Sequence, residues 1–178
     1  MRNLVLKLTQ AKPIAMGIAA GMIVLGVMAL IAGNYDKQVV RDQLEPQAIF
    51  FPKAGDDALP KDLEQYAGQQ VDNGTKAKAY AEKYLGRHLE EIGGGKSYAQ
   101  ISTEQMANPD DERLVAQKAT MFQGETLRGL LLSVWGWSVV GSVAVAAGIL
   151  LIVLGAILFV LPLAGLLMER KDGSPQPA

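Results

Sequence analysis

The chain has 178 residues and a formal net charge of −1, with one histidine and no cysteine. That inventory excludes a conventional zinc site, which needs three or four ligands, and a strongly basic nucleic-acid surface. It is 49% hydrophobic, but the average hides segregation: residues 13–35 and 129–168 carry no charge, whereas residues 37–128 hold twelve Lys and Arg against fifteen Asp and Glu.

An apolar stretch of about 20 residues crosses a bilayer as a helix, so two spans are predicted. The expected fold class is mainly α, with two transmembrane helices flanking a small helical extracytoplasmic domain. Residues 1–12 form a basic leader carrying Arg2, Lys7 and Lys12. Residues 13–33, P-I-A-M-G-I-A-A-G-M-I-V-L-G-V-M-A-L-I-A-G, form the first span. A cleaved signal peptide is the alternative. Its core is usually about 7–15 residues and ends in a small-x-small site. Here the core is longer, and A-L-I-A-G-N offers Leu30 or Ile31 at the −3 position. The residues favour an uncleaved anchor.

Residues 34–128 make the predicted extracytoplasmic helical domain. Its first stretch continues the first helix until Pro46 stops it. Ala48 to Phe51 is a short apolar run next to prolines, expected as an extended segment or short strand. Leu59 to Ala67 contains a short helix closed by Gly68. The clearest soluble element is residues 75–92, where Ala77, Tyr80, Ala81, Tyr84, Leu85, His88, Leu89 and Ile92 recur at helical spacing. Thr75 is the candidate cap. A last soluble helix begins near Asp110 or Asp111, acids that suit a first helical turn.

The second apolar run would extend about 60 Å as a helix, roughly twice a hydrocarbon core. No polar residue near Ala147-Gly148 marks a hairpin turn, so one long helix is expected. Residues 129–137 form a pre-membrane helix, with Trp135 and Trp137 as interface anchors. Residues 138–161 form the second span. Residues 162–178 are the interfacial and cytoplasmic tail, opened by Pro162 and ending in a disordered terminus. The basic leader, with Arg170 and Lys171 after the second span, places both termini in the cytoplasm. Long loops translocate largely regardless of charge, so the middle is expected outside.

Residues 92–102, I-G-G-G-K-S-Y-A-Q-I-S, look like the end of a phosphate-binding loop. The pattern G-x-x-x-x-G-K-[ST] follows a strand and opens a helix. Its first glycine would fall on Glu90, and a helix precedes these glycines. They read as a helix stop, and no nucleotide is expected. His88 and Glu91 lie one turn apart, too few for a metal site, and no G-x-S-x-G elbow accompanies a Ser-His-Asp arrangement. Asn73-Gly74-Thr75 matches a glycosylation acceptor but reads better as a turn. Neither cofactor, metal nor catalytic residue is assigned.

Several stretches carry a family resemblance: Q-L-x-x-Q-A-I-F-F-P, Y-A-G-Q-Q-V-D, A-K-A-Y-A-E-K-Y-L-x-x-H-L, G-G-K-S-Y-A-Q-I-S and F-Q-G-E-T-L-R-G-L-L. Together with both anchors they resemble an uncharacterised family of two-span membrane proteins from actinobacteria. The resemblance implies a plasma-membrane location and no known chemistry. Some such proteins are called ring-opening dioxygenases. One histidine and no cysteine cannot supply a usual iron triad, so the residues lend that name no support.

In lipid, helices associate through small residues that let backbones approach. Ala19, Gly26 and Gly33 are seven apart, as are Gly141, Gly148 and Gly155. The two stripes are expected to pack against each other within the chain. Gly17 and Gly21 lie nearly opposite the first stripe and form a G-x-x-x-G pair, a candidate partner face. The expected function is a non-enzymatic accessory or scaffolding subunit of a larger membrane assembly, or a self-oligomer. Its expected partners are the bilayer and other membrane proteins or further copies of itself, with no nucleic acid. An oligomeric channel is the alternative, since it shares the two-span layout; residues 13–33 hold no polar side chain to line a pore and Ser133, Ser138 and Ser142 sit only toward the outer end of the second span, so its gate would be hydrophobic. A third reading is a ligand-binding ectodomain using Tyr66, Tyr80, Tyr84 and Tyr98.

Overall fold

The computed structural model describes the backbone of residues 2–172 and the side chains of residues 13–161. The side chains of Arg2, Lys7, Lys12, Arg170 and Lys171, and the terminus 173–178, lie outside the described residues. The protein is mainly helical. Helix α1 runs Arg2–Leu44 and helix α5 runs Glu112–Asp172. Both are long and apolar enough to cross a membrane, and only 11% of the apolar window of each is buried. A core helix of a soluble protein would bury far more. Pro13 lies inside α1, and α5 continues through Pro162 instead of giving way to a tail there. Proline within a helix is tolerated in membranes, where neighbouring groups re-satisfy the freed backbone.

The chain divides into two compact units, residues 1–35 with 141–178, and residues 36–140. In the first, the buried positions among the described residues are Ala19, Gly26, Gly33, Gly141, Gly148 and Gly155. A Cβ on Gly26 would lie 2.7 Å from the Gly148 carbonyl oxygen, and one on Gly155 would lie 2.9 Å from that of Ala19. Gly33 approaches the Gly141 carbonyl in the same way. The pairs run antiparallel: each seven-residue step forward on α1 meets a seven-residue step back on α5.

The second unit begins with the end of α1. Pro46 ends the α-helix, as expected, and a 3₁₀ turn spans Glu45–Gln47. The segment after it is extended but forms no strand. Phe50 pairs with Gln70 in an isolated antiparallel bridge, flanked by bonds from Phe51 N–H to the Gln69 carbonyl and from Val71 N–H to that of Ile49. Lys61–Tyr66 is a 3₁₀ helix, followed by Gly68 at φ +67°.

Helix α2, Gly74–Ala79, passes through a π-helical turn, Tyr80–Leu85, into α3, Gly86–Gly93. Its cap is Asn73, not Thr75: the Asn73 side-chain oxygen accepts from the Lys76 N–H at 3.0 Å. The helix therefore starts slightly earlier than its apolar pattern suggests. Helix α3 stops at Gly94, which takes φ +59° while its N–H bonds back to the Glu90 and Glu91 carbonyls. Helix α4, Tyr98–Ala107, starts at once on a capping box, in which Ser97 and Gln100 satisfy each other's backbone N–H groups. Asp111 caps α5 by accepting from the Leu114 N–H at 3.1 Å.

Phe51 centres the larger core, with Leu63, Val71, Ala77, Ala81 and Leu131. Leu89, Ile101 and Met121 form a smaller one. Close approach again positions the helices: a Cβ on Gly74 would collide with the Ser138 side chain, and one on Gly124 with that of Leu89.

Asp62 ties the 3₁₀ helix to the π-turn and α3. Its carboxylate takes two bonds from Arg87, at 2.8 and 3.1 Å, and pairs with Lys83 at 3.3 Å. The Arg87 hydrogen bonds chiefly hold its pKa at about 2, against about 3.9 for a free aspartate. The folded value is the lower one, so the stabilisation is present above about pH 4 and is lost as pH falls toward 2. Asp62→Asn is expected to lower the thermal midpoint at pH 6, with the gap to the parent closing between pH 4 and pH 2. A gap that stays constant down to pH 2 would contradict the assignment. At the α3 stop, Gly94→Val forces a branched side chain into the left-handed region and is expected to cost on the order of 1 kcal/mol, read by chemical denaturation. An unchanged midpoint would show that the turn relaxes freely.

Candidate functional site

Most of the polar motifs prove to be structural. Lys96 does not reach into an anion cradle; its amine pairs with Glu104 at 2.8 Å on the surface. It borders a shallow cleft of 390 Å³ in which Arg87, Lys96 and Arg128 are balanced by Glu82, Glu90 and Glu125. Such a surface offers a phosphate no net attraction. His88 is half-buried, with its Nδ1 3.0 Å from the Tyr84 carbonyl oxygen and its ring 4.5 Å from the Tyr84 ring. Among the described residues no group of three or more His, Asp or Glu could hold a metal ion. Asn73 uses its carboxamide oxygen as a helix cap, and its amide nitrogen donates to Asp72. Asp110 is exposed, and Asp111 is occupied as the α5 cap.

The four tyrosines do not share one site among the described residues: Tyr66, Tyr80 and Tyr84 pack against the larger core, whereas Tyr98 borders a separate cleft of 390 Å³. Tyr66 and Tyr80 each lie 5.2 Å from the Phe51 ring, and Tyr80 lies 4.8 Å from Tyr84. Tyr80, Tyr84 and His88 form a row along the π-turn and α3, and Tyr66 flanks Phe51 from the 3₁₀ helix. Burial raises the Tyr80 pKa, with a further contribution from Tyr84. Tyr98 stands apart against Phe122, at 5.7 Å.

The two tryptophans differ. Trp135 is covered by the Lys78 amine, 4.0 Å from its ring centroid, whereas Trp137 is 62% exposed. Ser138 donates to the Trp135 carbonyl at 2.7 Å. Ser142 is exposed, and Ser133 borders a cleft together with Trp137.

Of the small residues, Ala19, Gly26 and Gly33 meet Gly155, Gly148 and Gly141 respectively. Gly17 and Gly21 are exposed. A Cβ on either would meet no described atom within 4 Å beyond the helix's own backbone and its chain neighbours. Among the described residues, that face of α1 is open.

One feature had a single weak signal in the sequence. Within the second unit, residues 36–49 and 127–137 enclose a cleft of 760 Å³. Its wall is aliphatic apart from Trp137, the carboxylates of Asp36 and Asp42, and the neutral polar side chains of Gln43, Gln47 and Ser133. The Oδ2 atom of Asp36 is buried and has no hydrogen-bond partner among the described residues. Only the position of Asp36, three residues beyond Gly33 and next to an uncharged stretch, could have drawn attention to it.

No protein-family model, curated protein or solved structure matches the chain.

Proposed function

We propose that the chain is a non-catalytic integral membrane protein that serves as an accessory or scaffolding subunit, joined to other membrane proteins or to further copies of itself through α1. The carrying observation is the open Gly17/Gly21 face. Glycine in a membrane helix costs conformational entropy and gives close approach in return, as Gly26 and Gly148 do. Two glycines four apart with no described residue against them are free for another backbone. The resemblance to actinobacterial two-span proteins supports a plasma-membrane location. The charge pattern supports cytoplasmic termini and an extracytoplasmic domain.

The two glycine faces predict separable phenotypes. Gly17→Leu combined with Gly21→Leu keeps apolarity and span length, so insertion is expected to survive while crosslinked or co-purified complexes are lost. Gly148→Leu places a large side chain against the Gly26 and Leu30 backbone and is expected to lower stability in detergent. Interhelical polar contacts in membranes are each worth about 1 kcal/mol, and exclusion of a whole glycine face is expected to exceed that. Native-detergent sizing and crosslinking in membranes read both. A double-leucine protein that keeps every association of the parent would sink the subunit reading.

Threading is tested separately. With single cysteines at Asp57 and at Ser174, an impermeant maleimide is expected to label position 57 and not position 174 on intact cells. The opposite pattern would put residues 34–128 in the cytoplasm.

A further inference from the structure

We infer that the cleft of the second unit is a binding site for a lipophilic organic cation, an ammonium or amidinium group on an apolar body. Its 760 Å³ falls within the range of about 300–1,000 Å³ typical of small-molecule sites. Leu44, Leu131 and Val134 make the wall greasy, and Trp137 adds an aromatic ring of the kind that attracts cations.

Charge then selects the ligand. Asp36 and Asp42 both line the cleft, and none of the described residues lining it is basic. The nearest arginine in sequence, Arg41, is engaged by Glu45. Asp36 is only partly exposed and no basic side chain shares its wall of the cleft, so its charge is poorly compensated there. An N–H cation in the cleft supplies an opposite charge and can donate to the part of the carboxylate that faces it. A carboxylate or phosphate ligand would instead meet two like charges. The same argument disfavours a phospholipid, whose phosphate would find no cationic side chain in the wall. A neutral apolar ligand would bury Asp36 without compensation.

The full-length protein in phosphatidylcholine nanodiscs allows a direct test. The probe is dansylcadaverine, an apolar naphthalene with a primary ammonium group. Its neutral counterpart is N-butyl dansylamide, and empty nanodiscs supply the partitioning background. The cation is expected to bind saturably, at least about tenfold more tightly than the neutral compound, a ratio that one charge-assisted hydrogen bond can supply. Asp36→Asn is expected to abolish the preference and leave binding of the neutral compound unchanged. Val134→Trp, which fills the cleft and keeps both carboxylates, is expected to weaken both compounds. It serves as the test should Asp36→Asn fail to fold by circular dichroism. Equal affinities for the two compounds, or a preference unaffected by both variants, would overturn the inference. So would saturable, Asp36-dependent binding of a lysine-bearing amphipathic peptide without binding of dansylcadaverine, which would assign the cleft to a partner protein. Loss of the Gly17/Gly21 association would leave all of these readouts in place, so this site and the subunit reading fail independently.

Discussion

The approach of the Gly26 backbone to the Gly148 carbonyl governs the paired apolar helices. For helices placed in hydrocarbon, as proposed for this pair, burying leucine or isoleucine brings no transfer gain, because lipid tails are as apolar as the side chains. Only dispersion and close backbone contact remain, and both require the axes to come near. Six small residues allow this, and the larger side chains are consequently turned outward: Val24, Leu25, Met28, Leu150 and Val153 are all exposed. The same constraint accounts for the spacing. Seven residues make almost two turns, so a seam repeating every seven stays on one side of both helices.

The second unit uses glycine differently. Gly74 lets α2 approach α5 beside the core around Phe51, Leu63 and Val71, and Gly124 lets Leu89 approach α5 in the smaller core with Ile101 and Met121, but both cores are filled by large apolar side chains. Few of its polar contacts are buried. The Asp62 cluster lies at the surface, and its value is geometric, holding the Lys61–Tyr66 turn against the helix that carries Lys83 and Arg87. The π-turn between α2 and α3 lies where the Tyr80 and Tyr84 rings meet at a tilt.

Features that depend on local chemistry were legible in the residues alone. The uncharged runs mark the two long apolar helices, Pro46 marks the end of α1, and Gly93-Gly94-Gly95 mark the end of α3. The seven-residue stripes coincide with the buried positions because a helix has a fixed period. Features that escaped such a reading arise from long-range contact or from competing local signals. Ser97 and Gln100 have capping-box spacing, but the glycine-lysine-serine run points first to phosphate chemistry. Thr75 resembles a cap because nothing in the pattern shows that Asn73 can reach the Lys76 N–H. The tyrosines have helical spacing whether they line a cavity or fill a core, and Phe51, which decides between these, lies some thirty residues away from two of them. The cleft brings together two stretches about ninety residues apart, a juxtaposition no local pattern encodes.

The cap at Asn73 bears on how the protein ages. Asn-Gly is the dipeptide that most readily closes to a succinimide, through attack of the glycine nitrogen on the side-chain amide. Here that side chain is turned toward the Lys76 N–H, and the glycine nitrogen belongs to the first turn of α2, so the ring-closing geometry is withheld while the helix stays formed. Hydrolysis to aspartate would preserve an oxygen able to cap a helix amino terminus, but it would replace the amide that donates to Asp72 with a like charge. Hydrolysis to isoaspartate would lengthen the main chain by one methylene beside Gly74, which has no room to shift against Ser138. Chemical wear at this site therefore divides into a product that keeps the cap but strains the contact with Asp72 and one that displaces the main chain, and the integrity of a single helical turn sets how fast either accumulates.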